Sequence, residues 1–221
     1  MGAQPLALLE QPIEKQHALG VTAWNRSLQA GETLFLEGET PTALYQVEHG
    51  CVKLTWNSPG GRETISELLL PGDVFDLPSC LDGCPYPLTC KAPTSSPAGL
   101  WVASRGALLE DPQLAWRCHA RLAKQLRQQR SHPVAAAAER VEVRLTRALL
   151  RLAERLGTST SQGLSFPLWL TRQELAEWVG TTPETVIRIC SHLRRRGLIE
   201  MEKGLLTLIQ PGLLLELTEA A

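Results

Sequence analysis

Residues 170–193 leave the chain few folds to choose from. They read Leu170-Thr-Arg-Gln-Glu-Leu-Ala-Glu-Trp-Val-Gly180 and then Thr181-Thr-Pro-Glu-Thr-Val-Ile-Arg-Ile-Cys-Ser-His-Leu193. Thr171 and Glu174 have capping-box spacing, so each can satisfy a backbone N–H at the start of a helix. Leu175, Ala176 and Val179 then share one helical face. Gly180 suits the left-handed residue that ends a helix. Thr182 can cap the next helix, and Pro183 falls in its first turn, where no N–H is needed. The spacing predicts two short helices joined by a tight turn.

In the second helix Val186, Ile189, Cys190 and Leu193 recur at helical spacing and face inward. Glu184, Thr185, Arg188, Ser191 and His192 remain outside, followed by Arg194, Arg195 and Arg196. A helix of this kind can enter a DNA major groove by its N-terminal half. Arg188 can donate two hydrogen bonds to guanine, and Glu184 can accept from the cytosine amino group. A solvated face on an ordinary helical hairpin gives the same pattern. After Gly197, residues 198–209 alternate about a Lys203-Gly204 turn, which predicts a hairpin directly behind the basic helix.

Leu170-Thr-Arg-Gln-Glu-Leu-Ala, Glu184-Thr-Val-Ile-Arg188 and Gly197-Leu-Ile resemble the DNA-binding domain of the Crp/Fnr superfamily of bacterial transcription regulators. The resemblance implies base contacts from Glu184, Thr185 and Arg188. It also implies DNA-backbone contacts from Thr171, Gln173, Thr182 and Ser191. Pro183 stands where some relatives carry a base-reading Arg, and Ile187 where others carry Ser or Gly.

The 221 residues suffice for two small domains. The formal net charge is −1, so affinity for nucleic acid has to come from a local patch. No apolar run reaches membrane-spanning length, and the first residues lack the basic start and apolar core of a secretory signal. A cytoplasmic protein is expected, with its six Cys as thiols, ligands or redox groups rather than a disulfide framework.

Upstream the period changes. Gly31–Gly38, Ala43–Val47 and Gly50–Trp56 read as strands, Ser58-Pro-Gly-Gly61 as a turn, and residues 62–70 as the returning strand. Pro71–Phe75 starts another. Evenly spaced short strands predict a small antiparallel barrel or jelly roll. Gly31, Gly38, Gly50 and Gly72 lie where the superfamily's cyclic-nucleotide-binding-type β-roll places its glycines. Relatives that bind cyclic AMP hold its ribose and phosphate with a Gly-Glu pair and a later Arg. Residues 72–90 of this chain contain no Arg. A buried phosphate without a cationic partner is costly, so cyclic AMP is not the expected ligand.

That segment instead carries Cys80, Cys84 and Cys90, spaced C-x3-C-x5-C on a Pro- and Gly-rich stretch read as a loop. Thiolates there can ligate an Fe–S cluster or zinc, with Cys51 or Cys118 as a fourth ligand. Cys84-Pro85 can serve as a haem thiolate, and reversible thiol oxidation is a third option. The plain alternative is that the three cysteines are small packing residues. The superfamily transfers no ligand set to this loop.

From Pro112 a long helical pattern puts Leu114, Cys118, Leu122 and Leu126 on one stripe. The superfamily uses this helix as a dimer seam. Pro133 predicts a bend or break near Ser131-His132. Residues 140–153 resemble the hinge and first helix of the DNA-binding domain. The tail from Pro211 is expected to pack as a short helix on the wing.

The expected protein is therefore α+β: a β-roll sensor over 20–110, a dimerisation helix over 111–140 and a winged helix-turn-helix over 141–221. The resemblance implies a homodimer on palindromic double-stranded DNA, with RNA polymerase as a further partner. A β-roll adaptor of the same architecture without DNA binding is the rival reading. No Gly-rich phosphate loop follows a strand, and H-E-x-x-H and G-x-S-x-G are absent, so no enzyme class is indicated.

Overall fold

The computed structural model describes residues 23–58, 60–110, 112, 116 and 140–219. The N-terminal lead-in, the Leu114, Cys118, Leu122 and Leu126 stripe, His132 and the break at Pro133 lie outside the described residues. The chain divides into two compact units, with most of residues 23–110 in the first and residues 140–219 in the second.

The first unit holds two four-stranded sheets. One runs in the order β1 (Ala23–Leu28), β8 (Ala98–Ser104), β3 (Ala43–His49), β6 (Val74–Phe75). The other runs β2 (Thr33–Phe35), β7 (Thr89–Lys91), β4 (Val52–Asn57), β5 (Glu63–Leu69). β1 and β3 flank β8 as antiparallel partners, with Ala23 opposite Ala103 and Tyr45 opposite Val102. The period-2 geometry of a strand explains the unbroken burial of Ala43–Val47. Ala43, Tyr45 and Val47 face the interior with Val52, Leu54, Leu100 and Val102. Leu44 faces the other way and packs with Val74, Leu77, Cys80, Ala103 and Leu108. That second cluster is closed by two short helices, α1 (Leu77–Asp82) and α2 (Arg105–Glu110). Gly31, Gly38, Gly50 and Gly72 all have positive φ, from 71° to 90°, the conformation that glycine adopts without the Cβ penalty.

The second unit begins with α3 (Val141–Leu156). Then come β9 (Thr158–Thr160), β10 (Gly163–Pro167), α4 (Arg172–Val179) and α5 (Pro183–Arg195). The hairpin β11 (Ile199–Glu202) and β12 (Leu205–Leu208) follows, and α6 (Pro211–Glu219) ends the described chain. The strands form one sheet in the order β11-β12-β10-β9. Its core is Leu145, Leu149, Phe166, Leu175, Val186, Leu193, Leu206 and Leu208, all at 1 % exposure or less. Each such aliphatic or aromatic side chain stabilises the fold by about 1.5–3 kcal/mol on burial.

Two expectations need correcting. The tail helix packs on α3 rather than on the wing, with Leu214 fully buried and the Arg147 guanidinium donating to the Thr218 carbonyl at 3.3 Å. The cysteine-bearing stretch is not all loop: Leu77–Asp82 is helical, with Pro78 in its first turn, where proline starts a helix rather than breaking it. Among the described residues no helix is long and apolar enough to cross a membrane.

Candidate nucleic-acid interface

The turn between α4 and α5 is set by local chemistry. Thr171 accepts from the Glu174 N–H at 3.1 Å, and the Glu174 carboxylate accepts from the Thr171 N–H at 2.9 Å, completing the capping box. Glu174 is 2 % exposed, a burial a carboxylate tolerates because these bonds satisfy it. Gly180 ends α4 with φ 70°. The Thr182 hydroxyl accepts from the Thr185 N–H and starts α5.

A fork from another helix then fixes the turn. Arg144 on α3 donates from Nε to the Val179 carbonyl at 2.9 Å and from Nη2 to the Gly180 carbonyl at 3.1 Å. A guanidinium is suited to this, since its donors lie in one rigid plane and its charge favours a helix C-terminus. Arg172 ties α4 to the hairpin by donating to the Met201 sulfur at 3.0 Å. Sequence reading missed both arginines, because neither partner is near in sequence.

The structure separates the two faces of α5. Val186, Ile189, Cys190 and Leu193 are buried. Glu184, Ile187, Arg188, Ser191, His192, Arg194 and Arg195 are exposed. Arg188 lies one turn beyond Glu184, so both side chains leave the same face. The Glu184 carboxyl is held below its ordinary value by hydrogen bonds from its own backbone N–H and the Thr182 hydroxyl. It is an anion at neutral pH and thus an acceptor only. Ile187, 51 % exposed, is a large apolar residue between them.

The remaining expected contacts are more varied. Thr185 is half-buried, and its hydroxyl lies 3.2 Å from that of Thr182. Gln173 is exposed, but its amide donates to Glu177 at 2.8 Å. The Thr171 hydroxyl gives its proton to Glu174 at 2.9 Å, so it works inside the capping box. Thr182 and Ser191 are exposed. Lys203, at φ 50°, and Gly204, at φ 81°, form the hairpin tip.

The cysteines are not brought together. Cys80 lies on α1 in one core cluster, Cys90 on β7 in the other, and both are fully buried. Cys84 is exposed on the connecting loop. Burial pushes the Cys80 thiol up to about 11 and raises Cys90 well above its ordinary value; the Asp82 charge raises Cys84. All three resist becoming the thiolates that ligation and oxidation need. No group of three His, Cys, Asp or Glu suited to a metal occurs among the described residues. Cys80 on α1 and Cys90 on β7 are buried in separate core clusters, so the three thiols do not share one site.

The segment that would meet a cyclic nucleotide is acidic. Residues 72–90 contain three Asp and neither Arg nor Lys. Asp76 is pushed up to about 7 by burial and by the Glu67 charge, and Glu67, exposed on β5, is itself raised by partial desolvation and by Asp73. Two carboxyls that already resist their own charges do not fit an anionic phosphate.

Comparison with known proteins agrees with this anatomy. Residues 25–110 match the cyclic nucleotide-binding domain model, and residues 143–217 match the Crp-like helix-turn-helix domain model. The chain is 32% identical over 176 residues to the CRP-like cAMP-activated global transcriptional regulator of Mycobacterium tuberculosis, covering 78% of each chain. It is 29% identical over 189 residues to the nitrogen fixation regulation protein FixK of Bradyrhizobium diazoefficiens, covering 83% of this chain and 77% of FixK. The solved structure of FixK2 from Bradyrhizobium japonicum superposes with a TM-score of 0.78 at 26% identity, over 91% of this chain and 100% of that one.

Proposed function

The chain belongs to the Crp/Fnr superfamily of transcription regulators, and on that premise we propose that it acts as a homodimer on two-fold symmetric DNA. The observation that carries the reading is the outward face of α5, where Glu184 and Arg188 are both exposed one turn apart. Two such helices, one from each protomer, enter successive major grooves. Arg188 reads guanine and Glu184 reads cytosine, while Thr182 and Ser191 serve the phosphates. RNA polymerase is the second macromolecular partner. The intact α5 face favours this over an adaptor that has lost DNA binding.

Cyclic AMP is not the signal in this reading. The Mycobacterium relative is named as cAMP-activated, but residues 72–90 here supply no cation for a phosphate. Among the described cysteines only Cys84 is exposed, and its thiol is raised by the Asp82 charge, so the buried Cys80 and Cys90 are assigned to packing.

Selection from a random duplex library, without added nucleotide, tests the proposal. Enriched sequences are expected to be palindromic, with guanine–cytosine pairs fixed opposite Arg188 and Glu184. Enrichment of single, unrepeated half-sites would defeat the symmetric dimer, and no enrichment would favour the adaptor.

The dimer has its own test. Wild-type protein is expected to sediment as a dimer at micromolar concentration. Leu122→Glu is expected to shift it toward monomer by placing a charge in an apolar seam. A monomeric wild type, or an unchanged variant, removes Leu122 from the interface.

A further inference from the structure

Asp76 is unusual in three respects. It precedes α1 in the left-handed conformation, φ 55°, which few non-glycine residues adopt. Its side chain stands where a helix cap would, yet makes no capping bond. Its Oδ2 is buried and has no hydrogen-bond partner. The Tyr86 hydroxyl, on a side chain 3 % exposed, makes no well-formed hydrogen bond but lies against the Tyr45 hydroxyl and the Thr42 backbone. Only one other described side-chain atom, on Thr146 in the second unit, shares that condition. An orphaned buried carboxyl oxygen is rare enough in a folded protein to call for a cause.

The groups around the carboxyl exclude most occupants. Glu67 faces it from β5, Cys80 from α1, Cys90 from β7 and Tyr86 from the loop before β7. Each is acidic or neutral. Arg105 on α2 is engaged with the Cys80 carbonyl at 2.8 Å. An anion finds no partner. A metal finds no set of three ligands. A bulky group meets rings already in place, since Phe35 stacks on Tyr86 at 3.7 Å between centroids and Tyr45 on Phe75 at 5.4 Å. A proton needs no cavity. It removes the charge and turns one carboxyl oxygen into a donor.

We propose that Asp76 is a proton-binding site of the β-roll, and that gain or loss of this proton shifts the regulator between states of different DNA affinity. With the proton bound, α1 keeps its place over the second core cluster. With it lost, a half-buried anion beside Glu67, its Oδ2 shielded and unpartnered, favours states in which that oxygen reaches water. The direction follows from the raised value of Asp76, about 7. The folded chain holds the proton more tightly than the unfolded chain, whose Asp ionises near 4. Stability from this group is therefore complete in acid and is lost as pH rises through about 7. The step from proton to DNA affinity rests on the proposed DNA-binding function; the protonation itself does not.

The test compares wild type with Asp76→Asn, a neutral near-isostere that also tolerates the left-handed backbone. Carbon-13 NMR of the full chain is expected to show the Asp76 carboxyl titrating near pH 7. The wild-type melting temperature should fall between pH 5.5 and 8, with a smaller fall in Asp76→Asn. Affinity for the selected duplex should change over the same interval in wild type and far less in the variant. A carboxyl that titrates near 4, or equal melting slopes in the two proteins, overturns the proton site. A carboxyl that titrates near 7 with DNA affinity equally pH-dependent in both proteins, or flat in both, overturns the switch. Failure to bind any duplex is a failure of the regulator reading and is seen first in the selection experiment.

Discussion

Arg188→Ala is expected to weaken binding to the selected half-site by about 1–3 kcal/mol, roughly 5- to 150-fold. The loss should come with relaxed preference at one base pair per half-site. A phosphate-contacting residue behaves differently, weakening all sequences nearly alike. Arg188 is exposed on the face shared with Glu184, so no internal contact has to be rebuilt when it is truncated. Binding isotherms on the selected duplex and on its single-base variants separate the two cases. An equal loss on every duplex would assign Arg188 to the backbone. Ile187 adds a second discriminator. It cannot donate or accept a side-chain hydrogen bond, but it can contact a thymine methyl, so a thymine next to the Arg188 position should be favoured. Pro183 supplies no side-chain donor either, which removes a guanine contact that an Arg at that position makes in some relatives.

Phe166→Ala is expected to cost about 3–5 kcal/mol, a large part of the 5–15 kcal/mol that holds a typical domain together. Phe166 is 1 % exposed on β10, opposite Leu206 on β12, and β10 itself packs against α3. Its cross-strand neighbour Leu206 is itself fully buried and has no free room to swing into the space. Hydrogen exchange read by mass spectrometry should show faster exchange through α4 and α5, with little change in β3 and β8. DNA affinity should fall with it, although Phe166 is remote from the α5 face. Unchanged exchange in α4 would mean that the core repacks.

The helix-turn-helix was legible residue by residue, because its signals are local. Thr171, Glu174, Gly180, Thr182 and Pro183 lie within a few positions of what they cap or terminate. The strands between Thr33 and Phe75 were legible from alternation and glycine punctuation. β8 was not, since burial on both faces erases the period-2 pattern. α1 was hidden by Pro78, Gly83 and Pro85, which resemble loop composition although Pro78 serves the helix start. The Arg144 fork spans 35 and 36 positions, a distance over which no single-sequence pattern gives warning. The cysteine spacing suggested a ligand set that only three-dimensional placement could refuse.

The position of β8 between β1 and β3 has a consequence for how the protein is made. Ala23 pairs with Ala103 and Leu28 with Ala98, so β1 leaves the ribosome long before its partner exists. At about 5–20 residues per second, synthesis of the intervening chain takes roughly 4–16 s. During that interval β1 and β3 both lack the strand that joins them, and Leu44, Tyr45 and Val47 lack their cover. The β-roll can close only after Ser104 has been added. The second unit also closes late, since α6 packs on α3 with a bond that spans 71 positions, from Arg147 to Thr218.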